Sequence, residues 1–149
     1  MKKGVPEAKM EQLKQIILLM KTIDRQVTKQ FEQQTDISMT RYELLFTLIN
    51  KGTVSQQILK QALQIDQAAI TRHLKLLEDE QLVERKRNEK NNREVLVSIT
   101  EAGRSQLMCC QKEKNHYLEQ LASNFSQQEL ELFNNFLMRL QHNSDQYER

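Results

Sequence analysis

Apolar positions along the chain change their spacing more than once, and each spacing predicts a different element. From Glu7 to about Gln33 they are Leu13, Ile16, Ile17, Met20, Ile23, Val27 and Phe31. Steps of three and four set these in one stripe of an amphipathic helix. Thr35-Asp36-Ile37-Ser38 breaks the pattern. A second helix is predicted from Thr40, whose hydroxyl suits an N-cap with Glu43 three residues on, the capping-box arrangement. Its apolar positions are Leu44, Leu45, Leu48 and Ile49, and Lys51-Gly52 ends it. Thr53-Val54 is short and extended. Ser55 then caps a third helix bearing Ile58, Leu59, Ala62 and Leu63. After a tight break at Gln64-Ile65, Asp66 caps a fourth helix that runs to about Glu80, with Ile70, Leu74 and Leu77 on its inner side. Two short helices across so tight a break predict a helix-turn-helix over about 55–80.

The period then falls to two. Leu82 to Lys86 reads as one strand, and Val95, Val97 and Ile99 alternate as a second, half-buried strand. A polar loop rich in Asn, Lys and Arg joins them. Two strands directly after a helix-turn-helix predict a wing over about 82–99. Thr100 suits the cap of a fifth helix reaching about Ala122 through Leu107, Met108, Leu118 and Leu121. Ser126 and Glu129 form another capping box, opening a last helix with Leu130, Phe133, Phe136, Leu137 and Leu140. The predicted fold is mainly α with a small two- or three-stranded β wing, in the order α-α-α-α-β-β-α-α.

Composition supports long helices. Three Gly and one Pro in 149 residues leave few turn formers, against about 7% and 5% in average usage. With 38% hydrophobic residues the core is thin, and a partner is expected to complete it. Every apolar run is interrupted by charge, so no membrane span is predicted. MKKGVPEAKM has a basic start with no apolar stretch behind it, so no secretory signal is expected and the chain is placed in the cytoplasm.

Net charge is only +2, but it is unevenly spread: Arg85 to Arg93 holds five basic residues and one Glu. That concentration is a local feature and calls for a local explanation. The second helix of a helix-turn-helix can enter the major groove of DNA, and here it would present Gln67, Ala68, Thr71, Arg72 and Lys75. Gln pairs with adenine, Arg with guanine, and Ala or the Thr methyl meets a thymine methyl. On the wing, Arg85, Lys86, Arg87, Lys90 and Arg93 suit phosphates and the narrow minor groove. Ser55 and Asp66 serve as helix caps.

The run ITRHLKLLEDEQLVERKRNEKNNREVLVSITEAG, Ile70 to Gly103, resembles the MarR (multiple antibiotic resistance regulator) family of winged-helix transcription factors. The shared pattern is a recognition helix, a Leu-Val-Glu-Arg strand, a wing, and a closing strand ending in Thr-Glu-Ala-Gly. The family usually has Asp-Arg-Arg or Asp-x-Arg at the wing tip, where this chain reads Asn91-Asn92-Arg93. The resemblance makes Arg93 the minor-groove residue. It also implies a single domain over 1–149, with 39–99 as the winged helix-turn-helix and 1–38 and 100–149 as dimerisation helices. The partners it implies are double-stranded DNA bearing an inverted-repeat operator, a second copy of the chain, and a small-molecule effector. The function it implies is that of a homodimeric repressor released by that effector, with no cofactor. No effector-binding residue is identified by the sequence.

Two other readings stay open. Cys109, Cys110 and His116 could make a thiol- or metal-responsive sensor on the same fold. Yet two Cys and one His on a single helix are too few for a zinc site, and Arg104, Lys112 and Lys114 are the only cations near enough to activate a thiol. Inert, buried or half-buried thiols and no metal are expected. The other reading is a winged-helix module that binds protein and no DNA. Catalysis is not expected, because there is no Gly-rich phosphate loop, no nucleophile elbow and no pair of carboxylates on a cleft. His73 reads as a packing or phosphate-side residue, and His142 lies near a fraying end.

Overall fold

The computed structural model describes residues 4–109 and 111–147. Two compact units divide the chain, Met1–Lys114 and Asn115–Arg149. The first unit opens with helix α1 (Glu7–Thr35), which ends where Asp36 turns left-handed at φ 56°. Helix α2 (Met39–Lys51) follows. Its N-cap is Ser38, whose hydroxyl accepts from Arg41 N at 3.3 Å, and not the predicted Thr40, which already lies inside the helix. Glu32 of α1 explains the earlier start: its carboxylate accepts from Met39 N at 2.9 Å. That bond satisfies an amide the helix cannot pair itself. Gly52, at φ 73°, ends α2 as expected.

Strand β1 (Val54–Ser55) leads into helix α3 (Gln56–Leu63), and helix α4 (Gln67–Asp79) comes next. Both predicted caps hold: Ser55 accepts from Ile58 N, and Asp66 from Ala69 N at 2.7 Å. Between the helices Gln64 adopts a left-handed φ of 52°, which gives the tight break of the helix-turn-helix. Strands β2 (Val83–Asn88) and β3 (Asn91–Ile99) form the wing. The sheet is antiparallel and three-stranded in the order β1-β3-β2. The hairpin is longer than predicted. Pairing runs from Val83↔Ile99 to Asn88↔Asn91, so only Glu89 and Lys90 turn at the tip. Arg87 and Arg93 therefore stand on strands and not in a loop.

Leu44, Leu45 and Leu48 of α2, Leu59 of α3, Ile70, Leu74 and Leu77 of α4, Val83 and Val97 make the fully buried centre. Ile49 and Ile58, expected on the inner faces, are exposed at 36% and 42%. Each lies off the buried side of its helix, which Leu44, Leu45 and Leu48 mark in α2 and Leu59 in α3. Helix α5 (Glu101–Cys109) starts on the predicted Thr100 cap, whose hydroxyl accepts from Gly103 N at 3.0 Å. Gly103 and Leu107 are its buried residues.

Helix α6 (Gln111–Leu121) and helix α7 (Gln127–Asp145) complete the chain. The predicted capping box opens α7: Glu129 N donates to Ser126 Oγ and Ser126 N to the Glu129 carboxylate. No helix among the described residues is long and apolar enough to cross a membrane.

Candidate nucleic-acid interface

The burial of Ile70, Leu74 and Leu77 fixes which side of α4 is free. Ala68, Arg72 and Lys75 fall on the opposite side, Gln67 and Thr71 stand on its flank, and all five are exposed, as helical spacing from the buried seam sets them. Asp66 at the start of this helix is engaged as its N-cap.

A polar cluster orders the first turn of this face. Thr71 Oγ1 donates to the Gln67 carbonyl at 2.8 Å. It accepts from Gln67 Nε2 at 3.3 Å and from Gln56 Nε2 at 3.0 Å. Gln56 was not among the residues singled out from the sequence. It is the first residue of α3, directly after the Ser55 cap, and the short turn of the motif brings it back over α4. Gln56, Gln57, Gln67, Asn91, Arg93, Glu94 and Val95 line one open groove of about 340 Å³. Gln67 of α4 and the wing residue Arg93 thus face a common space.

The wing's shape is held by its own side chains. Asn88 Nδ2 donates to Glu94 at 2.7 Å, and Lys90 N donates to Asn88 Oδ1 at 3.0 Å. Arg93 N donates to Asn91 Oδ1 at 3.3 Å. The amide oxygen of Asn91 accepts this bond just as an aspartate oxygen could.

The five basic wing residues are not equivalent. Arg85 donates from Nε and Nη2 to Glu78 at the end of α4, at 2.9 and 2.5 Å, and is only partly exposed. With Lys86 it lines a separate hollow beside Glu78, Gln81, Val83, Glu84 and Thr100. Its charge is committed inside the fold. Lys86 has Glu84 at 3.7 Å, with both side chains well exposed, a contact too solvated to hold it. Arg72, Lys75, Arg87, Lys90 and Arg93 have no carboxylate within ion-pair distance among the described residues.

His73 sits on the flank of α4 with Nδ1 buried and without a hydrogen-bond partner among the described residues. Burial, then the nearby Arg72 and Arg41, hold its pKa below the usual histidine range. Cys109 is exposed, contrary to the expected burial, because the inner face of α5 passes through Gly103 and Leu107. Cys110 and the side chains of Lys112 and Lys114 lie outside the described residues.

The MarR family model matches residues 37–95, from the entry to α2 through most of the wing. The HTH-type transcriptional regulator YdgJ of Bacillus subtilis (strain 168) is 34% identical over 134 residues, covering 90% of this chain and 82% of that protein. Among solved structures, a mutant MarR from E. coli complexed with operator DNA superposes with a TM-score of 0.78 at 22% identity, over 87% of this chain and 95% of that one. The PcaV transcriptional regulator from Streptomyces coelicolor, in complex with its natural ligand, gives 0.76 at 13% identity, over 85% and 91%. At such identities these two structures establish the shared fold, while the sequence relative and the family match establish descent. The chain belongs to the MarR family of winged helix-turn-helix transcriptional regulators.

Proposed function

We propose that two copies of the chain bind an inverted-repeat operator and act as a repressor, without catalysis and in the cytoplasm. The carrying observation is the exposed face of Gln67, Ala68, Thr71, Arg72 and Lys75 on α4, whose first residue, Gln67, shares one groove with Arg93 of the wing. Donors on a helix end and a cation on a hairpin match a major groove and its neighbouring minor groove. Residues 39–99 are the reading part. Residues 1–38 and 100–149 are the dimerisation helices. The apolar stripe of α1 supports that assignment, since Leu13, Ile16, Ile17, Met20 and Ile23 are all exposed, as are Phe133 and Phe136 of α7. A second copy covers such faces.

The operator-bound E. coli relative and the ligand-bound Streptomyces coelicolor relative support the pairing of DNA with an effector. An effector releases the DNA by binding more tightly to a dimer whose reading helices are wrongly spaced. A near-complete switch requires a preference of about 5.5 kcal/mol.

Selection of bound duplexes from a random pool by the full chain tests the proposal. The expected product is a palindrome with half-sites about one helical turn apart, bound with an affinity that falls steeply as salt rises. Recovery of no common sequence, or binding indifferent to salt, overturns it.

A further inference from the structure

Resting on the reading of α4 as the element in the major groove, we propose that Thr71 reads a thymine through its methyl group. We propose also that Gln56, which lies outside α4, is the positioning residue that reserves the methyl for this task. A hydroxyl has one hydrogen and two lone pairs. In Thr71 all are in use. The hydrogen goes to the Gln67 carbonyl at 2.8 Å, and the lone pairs take Gln56 Nε2 at 3.0 Å and Gln67 Nε2 at 3.3 Å. The bond to the carbonyl four residues back also fixes the side-chain rotamer.

A free threonine hydroxyl can donate to or accept from any base edge, so it discriminates poorly. Saturating it removes that ambiguity. What Thr71 has left on this exposed face is the methyl, whose preferred contact in the major groove is the C5-methyl of thymine. Gln67 is itself suited to adenine, and when its amide turns to a base it leaves the hydroxyl. Gln56 and the helix carbonyl then still hold the oxygen. The clamp on the reader is therefore supplied from the preceding helix, and it survives engagement of the DNA.

The test uses the full chain and the half-site returned by duplex selection. Each thymine is replaced in turn by deoxyuridine, which removes one methyl and no hydrogen-bonding group. Affinity should fall about fourfold per half-site at one position, the worth of one buried methyl group. Thr71→Val should keep this fall at that position, and Thr71→Ser should abolish it. Gln56→Ala, and Gln56→Glu, which keeps the length but has no amide donor, should bring the thymine-to-deoxyuridine ratio toward one. The thermal midpoint of Gln56→Ala should match the parent.

Equal affinity for thymine and deoxyuridine at every position in the parent, which needs no variant to fold, overturns the proposal and leaves DNA binding intact. Discrimination kept by Thr71→Ser and lost by Thr71→Val does the same. Binding to no duplex at all removes the underlying reading together with the proposal.

Discussion

At the scale of single residues, neighbouring arginines of one basic run do different work. Arg85 is taken up by Glu78, whereas Arg93 stands free beside the groove. Arg85→Ala should therefore lower the thermal midpoint, by about 1 kcal/mol of stability for a partly exposed charged pair, and leave the salt dependence of DNA binding unchanged. Arg93→Ala should do the reverse, flattening the slope of log affinity against log salt by about one per subunit. Melting curves and salt titrations on both variants separate the roles, and identical behaviour of the two would remove the distinction.

His73 gives a second expectation. Its pKa is lowered in the fold by burial and then by Arg72 and Arg41, so the unfolded chain takes up the proton first. Stability from its neutral form is complete above the ordinary value of about 6.5 and is lost as pH falls from there toward the lowered folded value. The thermal midpoint of the parent should drop more between about pH 7 and pH 5 than that of His73→Gln. Parallel profiles would show that His73 does not couple to folding.

At the scale of elements, Gly103 shows why the Thr-Glu-Ala-Gly stretch ends as it does. A Cβ there would press into the backbone carbonyl of Leu82 and lie 2.7 Å from Ile99 Cγ1. Helix propensity alone favours Ala over Gly by about 1 kcal/mol. Gly103→Ala should nevertheless destabilise, by about 1–3 kcal/mol of overpacking, read as a lower urea midpoint. A stabilised variant would mean that α5 can withdraw from the sheet.

Most helices were legible because their caps and stripes agree: Ser55, Asp66, Thr100 and Ser126 cap as the sequence suggests, and Ile70, Leu74 and Leu77 are buried. Thr40 misled, since two hydroxyl residues stood two apart and a carboxylate distant in the chain, Glu32, favoured the start at Ser38. The outer half of the wing was missed for another reason. Arg87 to Glu94 has no apolar alternation, and a solvated hairpin needs none, because backbone pairing and the Asn88–Glu94 bond hold it. The Gln56 contact with Thr71 was hidden because fifteen residues separate the partners, a distance only the turn geometry closes. The exposure of Cys109 was within reach, since it lies two residues past Leu107 and hence on another side of α5.

At the scale of the whole molecule, the proposed function calls for a second copy. Residues of α1 through Gln26 are exposed on every side, which a lone chain leaves in water. Ile16→Asp combined with Met20→Asp places charge in the stripe and should yield a monomer by sedimentation while far-ultraviolet dichroism keeps its helical signal. That monomer should bind a half-site and lose the advantage of the palindrome, with a salt slope about half the parent's. A dimer that persists would assign the interface elsewhere.

Thr100 ties these scales together. Its amide donates to the Leu82 carbonyl at 3.0 Å, and its hydroxyl donates to the Gln81 carbonyl at 2.7 Å while capping α5. The exit of α4, the root of β2, the end of β3 and the start of α5 are thus knotted within a few residues. A displacement of α5 is therefore expected to reach the C-terminal end of α4 through these bonds.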